Sequence, residues 1–272
     1  MTTKQIARAK INLCLHVVGQ RGDGYHLLDS IVGFAEFGDV LTFDLADTTT
    51  LTIDGPFADG LSGSDDNLIV QAARCFSGRQ GATIHLEKNL PVSSGIGGGS
   101  ADAAAALRGL STLWNKPMPD AAMQLKLGAD VPVCVQGGMV RMRGIGEVIS
   151  PLSGINPLSL VLVNPNVSVS TPTIFKALSS KENPPIVDQS NDPWSWISDQ
   201  RNDLQAAAIV VEPVIATALD QIARTSPMLA RMSGSGATCF GVYQTDQAAA
   251  AAALEISKAY PEWWVQTTRL TT

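Results

Sequence analysis

The chain has 272 residues, enough for one large or two modest domains with a sizeable core. Apolar residues make up 45% and charged residues 16%, the balance of an ordinary globular protein. A net charge of −6 excludes the broad basic surface that a nucleic-acid partner needs, so a phosphorylated ligand must be held by local N–H groups and a few placed cations. No run of about 20 apolar residues is present to span a bilayer. The first ten residues, ending at Lys10, lack an apolar signal core. Cys14, Cys75, Cys134 and Cys239 form no CxxC pair and each lies in an apolar run, which predicts buried free thiols and a reducing, cytoplasmic setting.

In chain order, residues 5–18 read as a strand with Ile11, Leu13, Leu15 and Val17 on one face. Lys10, Asn12 and His16 fall on the other, either pointing into a cleft or forming a solvated face. The loop Gly19-Gln-Arg-Gly-Asp-Gly-Tyr-His26 delivers Tyr25 and His26 side by side, suited to stacking on a flat ring or to closing the loop as an aromatic cluster. Residues 31–44 suggest a strand pair with a turn at Gly38-Asp39, and 51–53 a short strand. A turn at 62–66 precedes a helix over 67–76.

The most informative stretch follows. A strand over 82–86 is stopped by Pro91, which has no N–H to donate. Gly95, Gly97, Gly98 and Gly99 then free the backbone to approach a ligand, and Ser100 or Asp102 is placed to cap a helix over 103–114. Strand, glycine loop and helix N-terminus together make an anion site. It is neither the GxxxxGK[ST] loop, since no Lys follows the last glycine, nor a dinucleotide GxGxxG.

A helix is expected over 118–127. Asp130 then stands alone among Gly, Ala, Val and Pro, either as a functional carboxylate or as a helix cap. Residues 140–149 resume a strand pattern with a turn at 144–147, and a boundary falls near 151–157. Beyond it come a buried strand over 158–163 and a helix opening at Thr171-Pro172 with Thr171 as cap. A polar segment over 179–193 reads as mobile, followed by helices over 203–209 and 213–224. A second glycine loop at 231–243 lies between strands, and an alanine-rich helix over 247–260 precedes a closing strand over 264–269.

Six stretches, in order, resemble the GHMP kinases, the superfamily of galactokinase, homoserine kinase and mevalonate kinase. They are Ala9-Lys10-Ile-Asn12-Leu13, the loop 19–26, Asp66-Asn67-Leu-Ile-Val70, the glycine loop Pro91-Val92-Ser93-Ser94-Gly95-Ile96-Gly97-Gly98-Gly99-Ser100-Ala101, Leu127-Gly-Ala-Asp130-Val-Pro-Val133 and Met232-Ser-Gly-Ser-Gly-Ala237. The triple glycine is similar to the branch that phosphorylates a cytidine-diphosphate-linked polyol in non-mevalonate isoprenoid synthesis. The resemblance implies an α+β fold, with a ribosomal-protein-S5-domain-2-like N-terminal domain over 1–152, a ferredoxin-like C-terminal domain over 153–272, and the site in the cleft between them. It implies ATP and Mg2+, a small-molecule alcohol, and no nucleic-acid or membrane partner. The oligomeric state is left open between monomer and weak homodimer.

By position, the resemblance assigns Asp130 as catalytic base and Lys10 as the cation that keeps it ionised. Asn12 would bind the polyol, Tyr25 and Phe175 would sandwich the cytosine, His26 would hydrogen-bond its edge, and Thr171 would approach the cytidyl end. The 91–101 loop would hold the ATP phosphates, with Ser100 a candidate magnesium contact and Asn67 and Lys88 bordering the adenine. Ser93-Ser94 stand where many members carry glycines, and Ala101-Asp102 replaces a Ser-Asn or Ser-Ser pair. These small residues preserve the loop but leave open which side chain meets the β-phosphate. Two rivals stand beside this reading: a GHMP kinase acting on another alcohol (homoserine, mevalonate or a sugar), and a non-catalytic nucleotide-binding protein on the same fold.

Overall fold

A computed structural model describes residues 2–78, 80–187 and 192–271. The chain runs β1 (Thr3–Gln20), β2 (His26–Ala46), β3 (Thr50–Asp54), α1 (Leu68–Arg74), β4 (Gly81–Glu87), α2 (Gly98–Trp114), α3 (Ala121–Leu127), α4 (Val131–Gln136), β5 (Val140–Gly144), β6 (Val148–Pro151) and β7 (Ser159–Asn164). It continues with α5 (Thr171–Lys176), α6 (Pro193–Ser198), α7 (Leu204–Val211), α8 (Val214–Arg224), β8 (Leu229–Met232), β9 (Cys239–Tyr243), α9 (Asp246–Ala259) and β10 (Trp264–Thr271). Two compact units emerge: Met1–Ala9, Phe37–Val92 and Gly97–Gly137 form the first, and Lys10–Glu36, Ser93–Ile96 and Gly138–Thr272 the second. Strands β1 and β2, which pair, contribute residues to both.

In the first unit, β4 pairs antiparallel with the second half of β2 and parallel with β3. The register sets Leu41 opposite Leu86 and Phe43 opposite Ile84, all buried. The small face of α2, Ala103 to Leu107, is buried too, and a Cβ added at Gly109 would lie 2.4 Å from the Phe43 ring. Glycine is therefore required there for the helix to lie on the strand. The turn expected at Gly38-Asp39 does not form, and β2 runs straight through both residues. Gly38 serves close packing instead, since a Cβ would fall 2.1 Å from the Ala7 carbonyl oxygen. Asp39 is buried, and its carboxylate accepts from the Asn89 and Leu90 N–H groups at 2.6 and 2.8 Å. The pair reads as a turn by composition, but its polar atoms are satisfied by long-range partners.

In the second unit the first part of β2 pairs with β5 and, near its middle, with β10. Strands β10, β7, β9 and β8 continue side by side, all antiparallel. Every residue of β7 is buried. Ile215, Ala218 and Ile222 of α8 and Ala249, Ala252 and Ile256 of α9 belong to one cluster with Val161, Val163 and Cys239. Helix α5 is capped by Ser170, not Thr171, and Thr171 is its first residue. Part of the polar segment expected to be mobile, 188–191, lies outside the described residues. The part before it is tied down: Asn183 N–H donates to the Val17 carbonyl at 3.1 Å, and Ile186 N–H to the Asp29 carboxylate at 3.0 Å. Asp29 is also held by Arg141 through two bonds of 2.8 and 2.7 Å. Among the described residues no single helix is long and apolar enough to cross a membrane.

Candidate active site

Within the first unit the glycine loop becomes a helix earlier than expected. Gly97, with φ +66°, is the N-cap of α2, and no side chain caps the helix. The first intrahelical bond runs from Ala101 N–H to the Gly97 carbonyl at 2.8 Å. The N–H groups of Gly98, Gly99 and Ser100 thus have no acceptor within the helix and form its positive end. The backbone conformation at Gly99 falls outside the left-handed region, and a Cβ added there would meet only the Leu68 side chain at 3.7 Å. Alanine would fit and would favour the helix by about 1 kcal/mol, so the fold does not demand glycine at 99. A bare backbone that the fold does not require suits a ligand that approaches closely.

Asp102 does not cap α2 either. It is buried and faces Lys88, whose ammonium donates to Asp102 at 2.7 Å and to Asp39 at 2.5 Å. The Lys88 side chain, expected to border an adenine, is thus 4% exposed and engaged with two acids. Burial alone would lower its pKa, but Asp102 and Asp39 outweigh it and leave the pKa raised. Burial pushes the Asp102 carboxyl up to about 8 against the opposing pull of Lys88. Asn67 caps α1: its side-chain oxygen accepts from Ile69 N–H at 2.9 Å and its amide donates to the Ser62 carbonyl at 3.0 Å.

Asp130 stands at the start of α4, partly exposed, and its side chain makes no cap hydrogen bond. Its turn lies beside the glycine-loop helix, since a Cβ built on Gly128 would be 3.7 Å from the Ser100 hydroxyl. Arg108, from α2, donates to the Cys134 carbonyl on α4 at 2.9 Å. An acid and a phosphate-type helix start are therefore brought together within one unit.

The second unit gathers the other candidates. Lys10 and Asn12 are buried, which excludes a solvated strand face. The Lys10 N–H donates to the Ile96 carbonyl at 2.9 Å. The Asn12 N–H donates to the Ser233 hydroxyl at 3.1 Å, and the Asn12 amide to the Ser30 hydroxyl at 2.8 Å. The Asn12 side-chain oxygen is buried without a partner. Residues 93–96 lie against the second glycine loop: the Ser94 carbonyl accepts from Thr238 N–H at 3.0 Å, and the Gly95 carbonyl from the Ser233 hydroxyl at 3.1 Å. Thr171 shares a hydrogen bond of 2.8 Å with Ser235 of that same loop.

Tyr25 is 57% exposed, while His26 stacks on Phe175 with ring centroids 4.4 Å apart and planes at 22°. The His26 Nε2 atom is buried without a partner, and burial, with Lys181 adding to it, lowers the imidazole pKa. A neutral imidazole nitrogen beside an aromatic ring has the chemistry to read the edge of a heterocycle. Three residues, Asn202 and, within the second glycine loop, Arg231 and Ser233, make long-range bonds that the sequence alone did not assign to them. Asn202 donates to the Met232 and Gly234 carbonyls at 2.8 and 2.9 Å. Arg231 donates to the Leu13, Ile197, Ser198 and Gln200 carbonyls. Ser233 joins Asn12 to Gly95. Their partners are mostly backbone carbonyls far along the chain, and no local pattern announces them.

Two family models match the chain: the GHMP kinases N terminal domain over residues 67–138, and the GHMP kinases C terminal over 193–262. Fold and site thus define a small-molecule kinase of the GHMP class. The 4-diphosphocytidyl-2-C-methyl-D-erythritol kinase of Cereibacter sphaeroides is 52% identical, covering 98% of this chain and 99% of its own. That of Ruegeria pomeroyi is 49% identical, covering 97% and 98%. A crystal structure of 4-(cytidine 5'-diphospho)-2C-methyl-D-erythritol kinase superposes with a TM-score of 0.80 at 28% identity over 99% of both chains. The homoserine kinase of Cytophaga hutchinsonii shares the fold, with a TM-score of 0.73 at 16% identity over 100% of this chain and 95% of its own. The chain belongs to the 4-diphosphocytidyl-2-C-methyl-D-erythritol kinase family.

Proposed function

We propose that this protein transfers the γ-phosphoryl group of ATP to the 2-hydroxyl of 4-diphosphocytidyl-2-C-methyl-D-erythritol, a step of non-mevalonate isoprenoid synthesis. The observation that carries the reading is the approach of Asp130's turn to the bare start of α2 at Ser100. Phosphoryl transfer asks the protein mainly to position two oxygens and to offset charge, and little else. The hydroxyl oxygen forms a bond to the γ-phosphorus, the bond from that phosphorus to the bridging oxygen breaks, and ADP leaves. Asp130 takes the hydroxyl proton as general base, and Lys10 offsets negative charge at the transferred group.

The 91–101 loop holds the ATP phosphates with its N–H groups, and Asn67 lies at the adenine end. The helix start at Gly98, Gly99 and Ser100 fits an anion, and Gly99 leaves room for one. Among the described residues no group of three or more His, Cys, Asp or Glu could hold a metal. Mg2+, which keeps most of its waters and binds chiefly through phosphate oxygens, needs no such cage. The Ser100 hydroxyl is its candidate protein contact, and the ion would neutralise charge on the phosphates. His26 reads the cytosine edge, with Tyr25 and Phe175 about the ring, Asn12 on the polyol and Thr171 toward the cytidyl end. The family models support an N-terminal domain followed by a C-terminal one, for which the proposed bounds are 1–152 and 153–272. Four free thiols suit a reducing cytoplasm.

The test is ADP release by purified protein with ATP, Mg2+ and the cytidyl alcohol, set against mevalonate and homoserine. Turnover confined to the cytidyl alcohol is expected, and robust turnover of either other alcohol would overturn the substrate assignment.

A further inference from the structure

The glycine loop leaves the sheet after β4 and enters α2 about ten residues later, and a buried ionic cross-link joins its two ends. Lys88 stands at the exit from β4, with its own N–H and carbonyl bonded to Asp54 O at 2.7 Å and Phe57 N at 3.1 Å. Its ammonium bridges Asp39 of β2 and Asp102 of α2. Asp39 in turn accepts from the two residues after Lys88, Asn89 and Leu90. The ammonium also sits beneath the first turn of α2, since a Cβ added at Gly98 would fall 3.2 Å from it. All three side chains are at most 7% exposed, and each lies in the first unit.

Removing an ammonium and two carboxyl groups from water is costly, and apolar packing of equal volume often stabilises a fold as well or better. Stability alone is thus a weak reason for the cluster, whereas a fixed geometry is a strong one. We propose that Lys88 and Asp102 are positioning residues for the nucleotide: by clamping the loop's exit to the first turn of α2, they hold the N–H groups of 98–100 in the arrangement that receives phosphate. The inference rests on the nucleotide reading above. It gives Lys88 a role through the loop backbone in place of side-chain contact with adenine. Without the clamp the binding-competent loop is one conformer among several, and the apparent affinity falls by the fraction of molecules that hold it.

The experiment compares Asp102→Ala with Asp102→Asn, which keeps an oxygen acceptor for Lys88, by steady-state kinetics and by calorimetric titration with a non-hydrolysable ATP analogue. Asp102→Ala is expected to raise KM for ATP and Kd for the analogue about tenfold, consistent with a competent fraction near one tenth. Its kcat and its KM for the alcohol should stay within about threefold, and Asp102→Asn should restore ATP KM to a similar margin. A merely structural role would instead lower kcat through lost active protein and leave both KM values alone. If Asp102→Ala fails to fold, Lys88→Gln, which keeps a hydrogen-bond donor, provides the same readout. ATP KM within twofold of the unsubstituted protein in a folded variant overturns the inference alone. Failure of the unsubstituted protein to bind the analogue overturns the nucleotide reading and the inference with it.

Discussion

The Ser233 hydroxyl donates to the Gly95 carbonyl at 3.1 Å while the Gly95 Cα presses against the Ser233 backbone, so closely that a Cβ would lie 2.4 Å from the Ser233 carbonyl oxygen. The first glycine loop is therefore seated on the second through a contact that admits only glycine, and Gly95 has φ +78° besides. Gly95→Ala should cost about 2 kcal/mol or more, because strain in the left-handed region adds to a backbone clash that no rotamer relieves. Chemical denaturation measures this directly. A loss under about 0.5 kcal/mol would mean that the two loops part easily.

Gly99 offers the opposite case. Its neighbourhood accepts a Cβ, with Leu68 at an ordinary 3.7 Å. Gly99→Ala is expected to stabilise the ligand-free protein by up to about 1 kcal/mol and at the same time to weaken ATP binding, since the methyl occupies the space kept for phosphate. Thermal unfolding with and without an ATP analogue separates the two effects: the free protein's midpoint rises and the ligand-induced shift shrinks. An undiminished shift would remove Gly99 from the phosphate site.

What the residues announce and what they conceal differ by range. The glycine loop, a helix ending at 114, the buried strand near 158–163 and a second glycine loop between strands are all local patterns, and each is present, although α2 starts at Gly98 and not at 103 and the second loop gives way to strand at Cys239. Three features were hidden. Gly38-Asp39 has the composition of a turn, but its environment is set by Ala7, Lys88, Asn89 and Leu90, distant in sequence. Gly97 caps α2 by conformation, without a side chain, so Ser100 and Asp102 looked like the caps. Cys75 lies in an apolar run but is only half-buried, whereas Cys14, Cys134 and Cys239 are buried. In the candidate site, residue types were legible from the resemblance, while the clamps at Asn202, Arg231 and Asp39 depend on carbonyls and amides that tertiary folding alone brings near.

His16 makes stability pH-dependent. Its Nδ1 is 3.0 Å from the Pro184 carbonyl and its Nε2 accepts from Arg201 N–H at 3.4 Å, an arrangement that needs the neutral ring. Burial lowers its pKa, and Arg201 lowers it further. The unfolded chain therefore binds a proton more readily than the folded one as pH falls below about 6.5, and stability declines with acid across that window. His26, lowered in the same direction, adds to the effect. Denaturation midpoints from pH 7.5 to about pH 5 should fall in the unsubstituted protein and fall less in His16→Gln. Equal slopes would assign the acid sensitivity to other groups.

Asp130→Asn isolates chemistry from architecture. Asp130 is the N-cap of α4 by position, and its carboxylate makes no capping hydrogen bond to that helix. The turn before it is set by backbone, with Val131 N–H donating to the Gly128 carbonyl at 3.0 Å and Cys134 N–H to the Asp130 carbonyl at 3.1 Å. Asparagine has the same shape and can occupy the same turn, but it cannot accept the alcohol proton. The expected result is a fall in kcat of about 10²–10⁴-fold, with the Kd for an ATP analogue within about twofold and the unfolding midpoint nearly unchanged. If turnover survives, the proton leaves by another route and Asp130 is not the base. If ATP affinity collapses together with turnover, the carboxylate belongs to the nucleotide site and the division of labour between Asp130 and the glycine loop is wrong.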